Sequence, residues 1–305
     1  MLSDISYRLI RSLCMETSIV PIFLTDYCIE NAYFCKYLIH NIYISKTILF
    51  MHNFPFSYLT FNKNKAKAIT VILLLLTTAI HPLLAQKRVC ISGTVTDFDN
   101  HPIAGADVFV QDKDFKDLYH VKCDKKGQYV LRIPAGEYPY LSAIREENYP
   151  QSPHFNGNVT DARLEFWSWG FIADRDTTLN LRYQRMEVYG VNVFSVQGGS
   201  ATYQIYVRPM SLTRTAQWMT DRSKLAHFAP EADKLKAEVT IDGEPVKVLL
   251  KQPVREFATA EQTLDAYLLT VAMPTKKASK PYRVFRIVLE DMENGDKGEA
   301  LYYMK

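Results

Sequence analysis

Apolar and polar residues alternate with a period of two from about residue 90 to residue 305, and this pattern constrains the fold more than any other feature of the chain. In the segment Gln128–Ile133, for example, Tyr129, Leu131 and Ile133 would lie on one face of a strand. The alternating segments are short and are separated by Gly, Pro, Asn or Asp, which is typical of turns. Short strands at this spacing predict an all-β fold, either a sandwich or a barrel.

The predicted strands fall into two groups, on either side of a domain boundary that we place between residues 185 and 186. The first group is Cys90–Asp97, Ala106–Gln111, Leu118–Cys123, Gln128–Ile133, Tyr140–Arg145 and Thr177–Tyr183. The second group is Val188–Val196, Tyr203–Val207, Ala237–Ile241, Val246–Leu250, Ala266–Met273, Tyr282–Leu289 and Glu299–Tyr303. Asp242 and Gly243 predict a tight hairpin, and Thr213–Leu225 is the one segment here predicted as helical. We therefore expect two tandem β-sandwich domains, residues 86–185 and 186–305, the second of them immunoglobulin-like.

An apolar run at residues 68–80 predicts export. It is shorter than the about 20 residues that cross a bilayer, it follows three lysines, and small Ala85 comes shortly after it. This order is typical of a secretory signal peptide at residues 51–85, cleaved between Ala85 and Gln86; the alternative is a buried core helix. Residues 1–50 precede the signal, so we expect translation to begin at Met51, the alternative being an additional hydrophobic membrane segment.

Charge and cysteine content describe the exported part further. It carries equal numbers of basic and acidic residues, which makes nucleic acid a poor candidate partner. After cleavage at Ala85, Cys90 and Cys123 would be its two cysteines. In an oxidising compartment they could form a disulfide, or they could be two small buried side chains.

Four segments in the first half occur in the order of a known domain pattern. Ile91–Asp97 reads I-x-G-x-V-x-D, Pro102–Val110 reads P-I-x-G-A-x-V, and Asp124–Pro134 opens with D-x-x-G-x-Y, followed by Gly136–Tyr138. Together they resemble the carboxypeptidase regulatory-like domain over about residues 87–150.

This resemblance implies a seven-stranded, transthyretin-like sandwich, closed by Thr177–Tyr183 after an insertion. It is a module that occurs beside zinc carboxypeptidases and at the front of outer-membrane receptors of Bacteroidetes-type bacteria. Transthyretin-like hydrolases share the topology but end in Tyr-Arg-Gly-Ser, whereas this chain ends in Tyr302–Lys305. Gly127 fits a turn that requires a positive φ angle.

Catalytic and metal-binding patterns are absent from the sequence. It contains no nucleophile elbow, zinc-protease helix motif or phosphate loop. The histidines of the exported part lack metal-ligand spacing: His101, His120, His154 and His227. The acidic segments Asp97–Asn100 and Asp291–Asp296 do not form a complete calcium loop, and turn conformation explains them better. We therefore expect no enzyme activity, no cofactor and no metal; an enzyme would need a site assembled from scattered residues.

The segment Phe166–Phe171 is the strongest candidate for a binding site. In a strand, Trp167, Trp169 and Phe171 would share one face at about 6.6 Å spacing and could stack on successive sugar rings. Nearby Glu165 and Asp174 could then hydrogen-bond sugar hydroxyl groups. The alternative is that these large aromatic residues pack in a core or a domain interface.

Together these features predict an exported, non-catalytic binding or accessory module of the bacterial cell envelope. Its partner would be a glycan or an envelope protein, in the periplasm or at the cell surface. Membrane contact would be limited to the signal peptide before cleavage. The alternative function is a structural module that docks a protein through its sheet edges.

Overall fold

The computed structural model of the chain describes residues 87–220, 227–257 and 263–305. The predicted upstream extension, the signal peptide and its cleavage site lie outside these ranges. Among the residues that are described, no helix has both the length and the apolar character needed to cross a membrane.

The described chain is all-β, as its alternation predicts. Its strands are β1 Arg88–Thr96, β2 Asp107–Gln111, β3 Asp117–Lys122, β4 Gln128–Pro134, β5 Gly136–Ile144, β6 Phe166–Ala173, β7 Thr177–Thr178, β8 Leu181–Arg182, β9 Met186–Phe194, β10 Thr202–Ser211, β11 Leu235–Ile241, β12 Glu244–Val246, β13 Val248–Phe257, β14 Thr263–Ala272, β15 Arg283–Asp291 and β16 Lys297–Met304. Helix α1 spans Leu212–Thr220, so the helix prediction is confirmed up to the end of the described range. Asp242 and Gly243, with φ angles of 52° and 82°, form the predicted hairpin between β11 and β12. Two predicted strands are wrong as single elements: Thr177–Tyr183 divides between β7 and β8, and Val246–Leu250 divides between β12 and β13.

The strands form one long sheet and two small ones. The long sheet has eight strands in the order β12-β11-β15-β16-β6-β5-β2-β3. The first small sheet is β4-β1-β7, with β8 also paired to β1, and the second is β13-β14-β10-β9. In the long sheet β6 and β16 run parallel, with Trp167 opposite Ala300 and Trp169 opposite Tyr302. This pairing joins strands from both predicted domains into a continuous sheet.

The two small sheets cover opposite faces of the long sheet. Neighbouring residues in a strand point to opposite sides, and neighbouring residues of the long sheet are buried in different cores. Leu141 and Leu301 are buried in the first core, together with the side chains of β1 and β4. Ala300 and Ile287 are buried in the second core, together with those of β9, β10 and β14. Each sandwich therefore consists of one small sheet and one half of the long sheet.

Each small sheet has an edge strand that lies over the middle of the long sheet. We call the two places where such an edge strand meets the long sheet steps. At one step β8 lies beside β16. The buried carboxylate of Glu299 accepts hydrogen bonds there from Arg182 Nε at 3.0 Å and from Arg286. We call Arg182, Arg286 and Glu299 the ionic step; Arg182 also lies over the Phe98 ring, 4.9 Å from its centroid. The other step, where β9 lies across β6, is aromatic and is described below.

The chain passes from the first core to the second between Tyr183 and Met186, both of which are fully buried. Arg185 holds this crossing by donating from Nε to Asp296 Oδ1 at 3.0 Å and from Nη1 to the carbonyl oxygen of Ala162 at 3.3 Å. The crossing coincides with the predicted domain boundary, and the division into two domains stays a prediction.

The two cysteines are not paired, so of the two alternatives that the sequence left open the structure has the one without a disulfide. Both are free thiols. Cys123 is buried in the first core, whereas Cys90 lies between Val89 and Ile91, which both point into that core. Cys90 therefore points to the other face of β1, away from Cys123. Burial raises the pKa of Cys123 to about 12.

Candidate functional site: the aromatic step

Strand β6 places its two tryptophans on the face opposite the first core. Phe166 is buried in that core, so the next residue, Trp167, points the other way, as does Trp169. The two indole rings stack with their centroids 5.5 Å apart. Trp167 is 6% exposed and Trp169 is half-buried. Part of the predicted pair is therefore accessible, while Trp167 is a packed residue where β9 meets β6.

Phe171 does not share this face, so that part of the platform prediction is wrong. It is 1% exposed in the first core, where its ring contacts Tyr303 edge-on at 5.5 Å. The cause is Gly170, whose φ angle of +62° interrupts the alternation of β6. A β-carbon at Gly170 would also lie 3.1 Å from the carbonyl oxygen of Tyr303.

Three further aromatic residues surround the two tryptophans. Tyr140 of β5 and Tyr189 of β9 contact Trp169 edge-on, at centroid distances of 5.2 Å and 5.1 Å. Phe115, in the turn between β2 and β3, stacks on Tyr140 at 4.6 Å and contacts Trp167 edge-on at 5.8 Å. We call these five residues the aromatic step.

Phe115 occupies an unusual backbone conformation. Its φ angle is 59°, in the left-handed region that bulky residues avoid, and the residue is 43% exposed. Asp112 fixes the turn, because its carboxylate Oδ1 accepts hydrogen bonds from the backbone N–H groups of Asp114 at 2.9 Å and Lys116 at 3.0 Å. Backbone strain of this kind costs about 1–3 kcal/mol and is concentrated at functional sites.

Two carboxyl groups adjoin the tryptophans. Glu187 of β9 is 6% exposed and accepts a hydrogen bond from the Trp167 indole Nε1–H at 2.9 Å. Glu165 lies just before β6, close to the Tyr149 side chain. Glu165 and Tyr149 belong to the loop between β5 and β6. This loop lies beside the tryptophans because its Leu164 packs against Leu212 at the start of α1. We call Glu165 and Glu187 the acid pair.

The pKa of each carboxyl group of the acid pair is raised. Burial is the main cause for Glu187, the neighbouring Glu165 charge adds to it, and the pKa reaches about 8. Burial also raises the pKa of Glu165, to about 7. Arg208 is the nearby cation, but Glu256 accepts from its Nε at 3.0 Å, and its guanidinium group lies over the Tyr189 ring. Within the described ranges neither member of the acid pair forms an ion pair.

Asp174, the remaining predicted site residue, lies at the other end of β6. Its carboxylate accepts hydrogen bonds from Arg175 and from the Tyr282 hydroxyl group at 3.1 Å. An open groove of about 460 Å³ beside β6 is lined by Gly170, Tyr302 and their neighbours, and neither Asp174 nor Trp169 lines it. The structure therefore brings Trp167, Trp169 and Glu165 together and leaves Phe171 and Asp174 out.

Sequence reasoning missed four members of this site: Phe115, Tyr140, Glu187 and Tyr189. Glu187 had a detectable signal, because it lies between Met186 and Val188 in an apolar strand where a carboxyl group is unusual. Phe115 had none, because its turn shows no feature that distinguishes it from the others. Its ring reaches the tryptophans only through the pairing of β2 with β5 and of β5 with β6.

The acidic turns have protein partners in the structure. Asp97, Asp99 and His101 place one ligand atom each within 4.8 Å of one another. Asp97 already accepts hydrogen bonds from the backbone N–H groups of Asp99 and His101, both at 2.9 Å. In the segment Asp291–Asp296, the two terminal carboxylates bind Arg214 and Arg185. The contacts of Asp97 are those of an ordinary turn, whereas Asp291 and Asp296 form ion pairs with distant parts of the chain.

Comparison with known proteins gives no family assignment. No family model matches the chain, and no curated protein does. Solved structures match at low similarity. The major pilin subunit of Bacillus cereus is 12% identical, with 72% of this chain and 70% of that chain covered and a TM-score of 0.22. A candidate carbohydrate-binding protein from Bacteroides uniformis is 10% identical, with 71% and 98% covered and a TM-score of 0.23. TM-scores this low carry no argument about function.

Proposed function

We propose that the exported part of this chain is a non-catalytic glycan-binding module of the bacterial cell envelope, with the aromatic step as its binding site. The observation that carries the proposal is Phe115, a bulky, exposed side chain held in a strained conformation on top of Tyr140. A turn with no function would relax at little cost by replacing this residue with Gly or Asn. Glycan binding by the Phe115 ring would explain why a bulky residue occupies this strained position.

The rest of the site suits a sugar ring. The half-buried Trp169 offers an apolar surface for stacking. Glu165 is half-buried at the edge of the step and can hydrogen-bond a hydroxyl group. A few polar groups placed around an aromatic surface are typical of small-molecule sites.

The cellular setting in this proposal rests on the sequence. The signal-like residues 51–85 predict export, and the carboxypeptidase regulatory-like pattern implies an envelope protein of a Bacteroidetes-type bacterium. The three longest pattern segments overlap β1, β2 and β4 in part, and Gly127 has the expected positive φ angle of 70°. Periplasm and cell surface are equally compatible with these features.

A glycan array followed by calorimetric titration of residues 86–305 tests the proposal. Trp169→Ala and Phe115→Ala should each weaken binding by about 1–3 kcal/mol, the scale of well-packed aromatic contacts. Phe194→Ala is the matched control, because Phe194 is 40% exposed on β9 and lies outside the step. Unchanged affinity in both step variants, or an equal loss in the control, would rule out the aromatic step as the site.

Docking of a protein through a sheet edge is the second candidate function. Strand β13 is an edge of the second small sheet, and Leu249 and Leu250 on it are 50% and 53% exposed. Pro253 lies within the same strand and lacks the N–H group that strand addition needs. If β13 docks an envelope protein, that protein should co-purify with the wild-type chain and not with the Leu250→Lys variant. Glycan affinity should be the same for both.

A further inference from the structure

We infer that the aromatic step is one end of a longer site, and that its ligand is a straight, uncharged glycan whose chain continues into the groove beside β6. The inference rests on the proposed function and names the class of glycan. It follows from the position of the groove next to the accessible tryptophan, from its bare glycine and from the balance of charge along it.

The groove begins beside the accessible tryptophan. The pairing of β6 with β16 ends at Trp169 and Tyr302, which lie opposite each other, and both strands continue past them. Tyr302 lies between Leu301 and Tyr303, which are both buried in the first core, so its side chain points to the face that carries Trp169. Its hydroxyl group donates to Asn192 Oδ1 of β9 at 3.2 Å. Tyr302 lines the groove and therefore connects it to the aromatic step.

Gly170 gives the groove a bare surface directly after Trp169. Although β6 has a neighbouring strand on each side, Gly170 is exposed. Without a side chain it leaves backbone that a ligand can approach closely. Pro139 of β5 lines the groove beside it, and the volume of about 460 Å³ is typical of sites that hold small molecules.

The charges along the groove balance. Glu137 and Lys305 are both exposed, line the groove and form an ion pair with each other. An exposed pair of this kind rearranges at little cost, so that its groups can also hydrogen-bond sugar hydroxyl groups. The other lining residues are uncharged: Tyr138, Pro139, Gly170, Ile172, Tyr302 and Tyr303. A groove without net charge favours an uncharged ligand.

The direction of the site sets the shape of the ligand. Trp169 and Ile172 are three residues apart in β6, a distance of about 10 Å along the strand. A glycan that occupies both the aromatic step and the groove therefore extends along β6. Chains with β-1,4 linkages between equatorial positions are straight ribbons with flat faces, whereas α-1,4-linked chains coil away from a flat sheet. We therefore expect the first kind of chain.

The test uses six-unit β-1,4-linked oligomers of glucose, mannose and N-acetylglucosamine, their two-unit forms, and α-1,4-linked maltohexaose. Each is titrated into the exported protein by calorimetry. At least one straight six-unit chain should bind about fiftyfold more tightly than its own two-unit form. This exceeds the about fivefold advantage that a longer chain gains from its additional registers on a two-unit site. Maltohexaose should bind at least about tenfold more weakly than the best straight chain.

Tyr302→Ala should reduce the ratio of six-unit to two-unit affinity to about fivefold, with the two-unit affinity unchanged. Tyr203→Ala is the matched control, because Tyr203 is also half-buried against the second core but does not line the groove. If Tyr302→Ala fails to fold, the backbone amide resonance of Lys305 decides the question, since it should shift with the six-unit chain and not with the two-unit form.

The outcomes separate this inference from the proposed function. A ratio of about fivefold or less for every straight chain, or equally tight binding of maltohexaose, overturns the inference and leaves glycan binding intact. Binding of none of these chains, with a glycan array that is positive for other glycans, also overturns the inference alone. Binding of none of them with a negative array overturns the proposed function as well.

Discussion

At the ionic step, the buried carboxylate of Glu299 lies between the guanidinium groups of Arg182 and Arg286. At the aromatic step, the buried carboxyl group of Glu187 has an indole N–H and a second carboxyl group as neighbours. Both steps arise in the same way, where a small sheet ends over the long one. One of them compensates its buried charge and the other does not.

This difference distinguishes a structural role from a role in ligand recognition. A buried carboxylate with two cationic partners is already satisfied, and its value is to join the halves of the molecule. A buried acid pair without a cation is costly for folding, and such groups are concentrated at functional sites. Under the proposed function, we therefore expect recognition at the aromatic step and a structural role for the ionic step.

Removing residues 186–305 would dismantle both steps at once. A fragment of residues 86–185 loses β16 from the edge of β6, and its core loses Tyr282, Leu301 and Tyr303. We expect no cooperative unfolding transition in denaturant for this fragment. If the fragment unfolds in denaturant with a transition as sharp as that of the whole chain, the shared sheet is dispensable for folding.

Trp167→Ala tests the packed floor of the aromatic step. Because Trp167 is 6% exposed and its N–H is bound by Glu187, the change should lower the free energy of unfolding by about 3–5 kcal/mol. Chemical denaturation measures this loss. A loss of unfolding free energy below about 1 kcal/mol would mean that Trp167 is a surface residue and does not form the packed base of the aromatic step.

Glu299→Gln tests the ionic step. The change leaves two arginines facing a neutral group and should cost about 2–3 kcal/mol, less than a fully buried pair because both arginines are partly exposed. Glycan affinity should stay unchanged. A large loss of affinity without loss of stability would reverse the roles that we assign to the two steps.

The pH dependence of stability should differ between the two steps. Because the folded-state pKa values of the acid pair are raised above their ordinary values, its protonated form favours the folded state, and this contribution is lost as pH rises from about 4.5 towards 8. The wild type should therefore lose about 2 kcal/mol relative to Glu187→Gln between pH 5 and pH 6.5. Parallel stability curves for the two proteins would contradict the uncompensated acid pair.

Phe115→Gly should have the smallest effect on stability. Glycine adopts a φ angle of 59° without strain, so relief of the backbone offsets the lost stacking on Tyr140 to within about 0.5 kcal/mol. Phe194→Gly, in a strand, should cost about 0.5–1 kcal/mol by comparison. Greater destabilisation by Phe115→Gly than by Phe194→Gly would show that Phe115 is a packing residue.

The sequence predicted most strands because each depends on local alternation and on turn residues such as Asp242 and Gly243. Other features depend on distant pairing. The contact of Trp167 with Ala300 joins β6 to β16, and no local period contains it. Gly170 shows a further limit, since one positive φ angle moved Phe171 to the other face and removed it from the predicted site. Glu187 was detectable, but only as an acid among apolar neighbours.

Carbon-13 NMR of glutamate side-chain carboxyl groups tests the central claim most directly, because it observes the acid pair itself. The account predicts two resonances that titrate between about pH 6 and pH 9 and that Glu165→Gln and Glu187→Gln identify as the acid pair. If every glutamate carboxyl group titrates below about pH 5.5, the aromatic step holds no shared proton, and its contrast with the ionic step is lost.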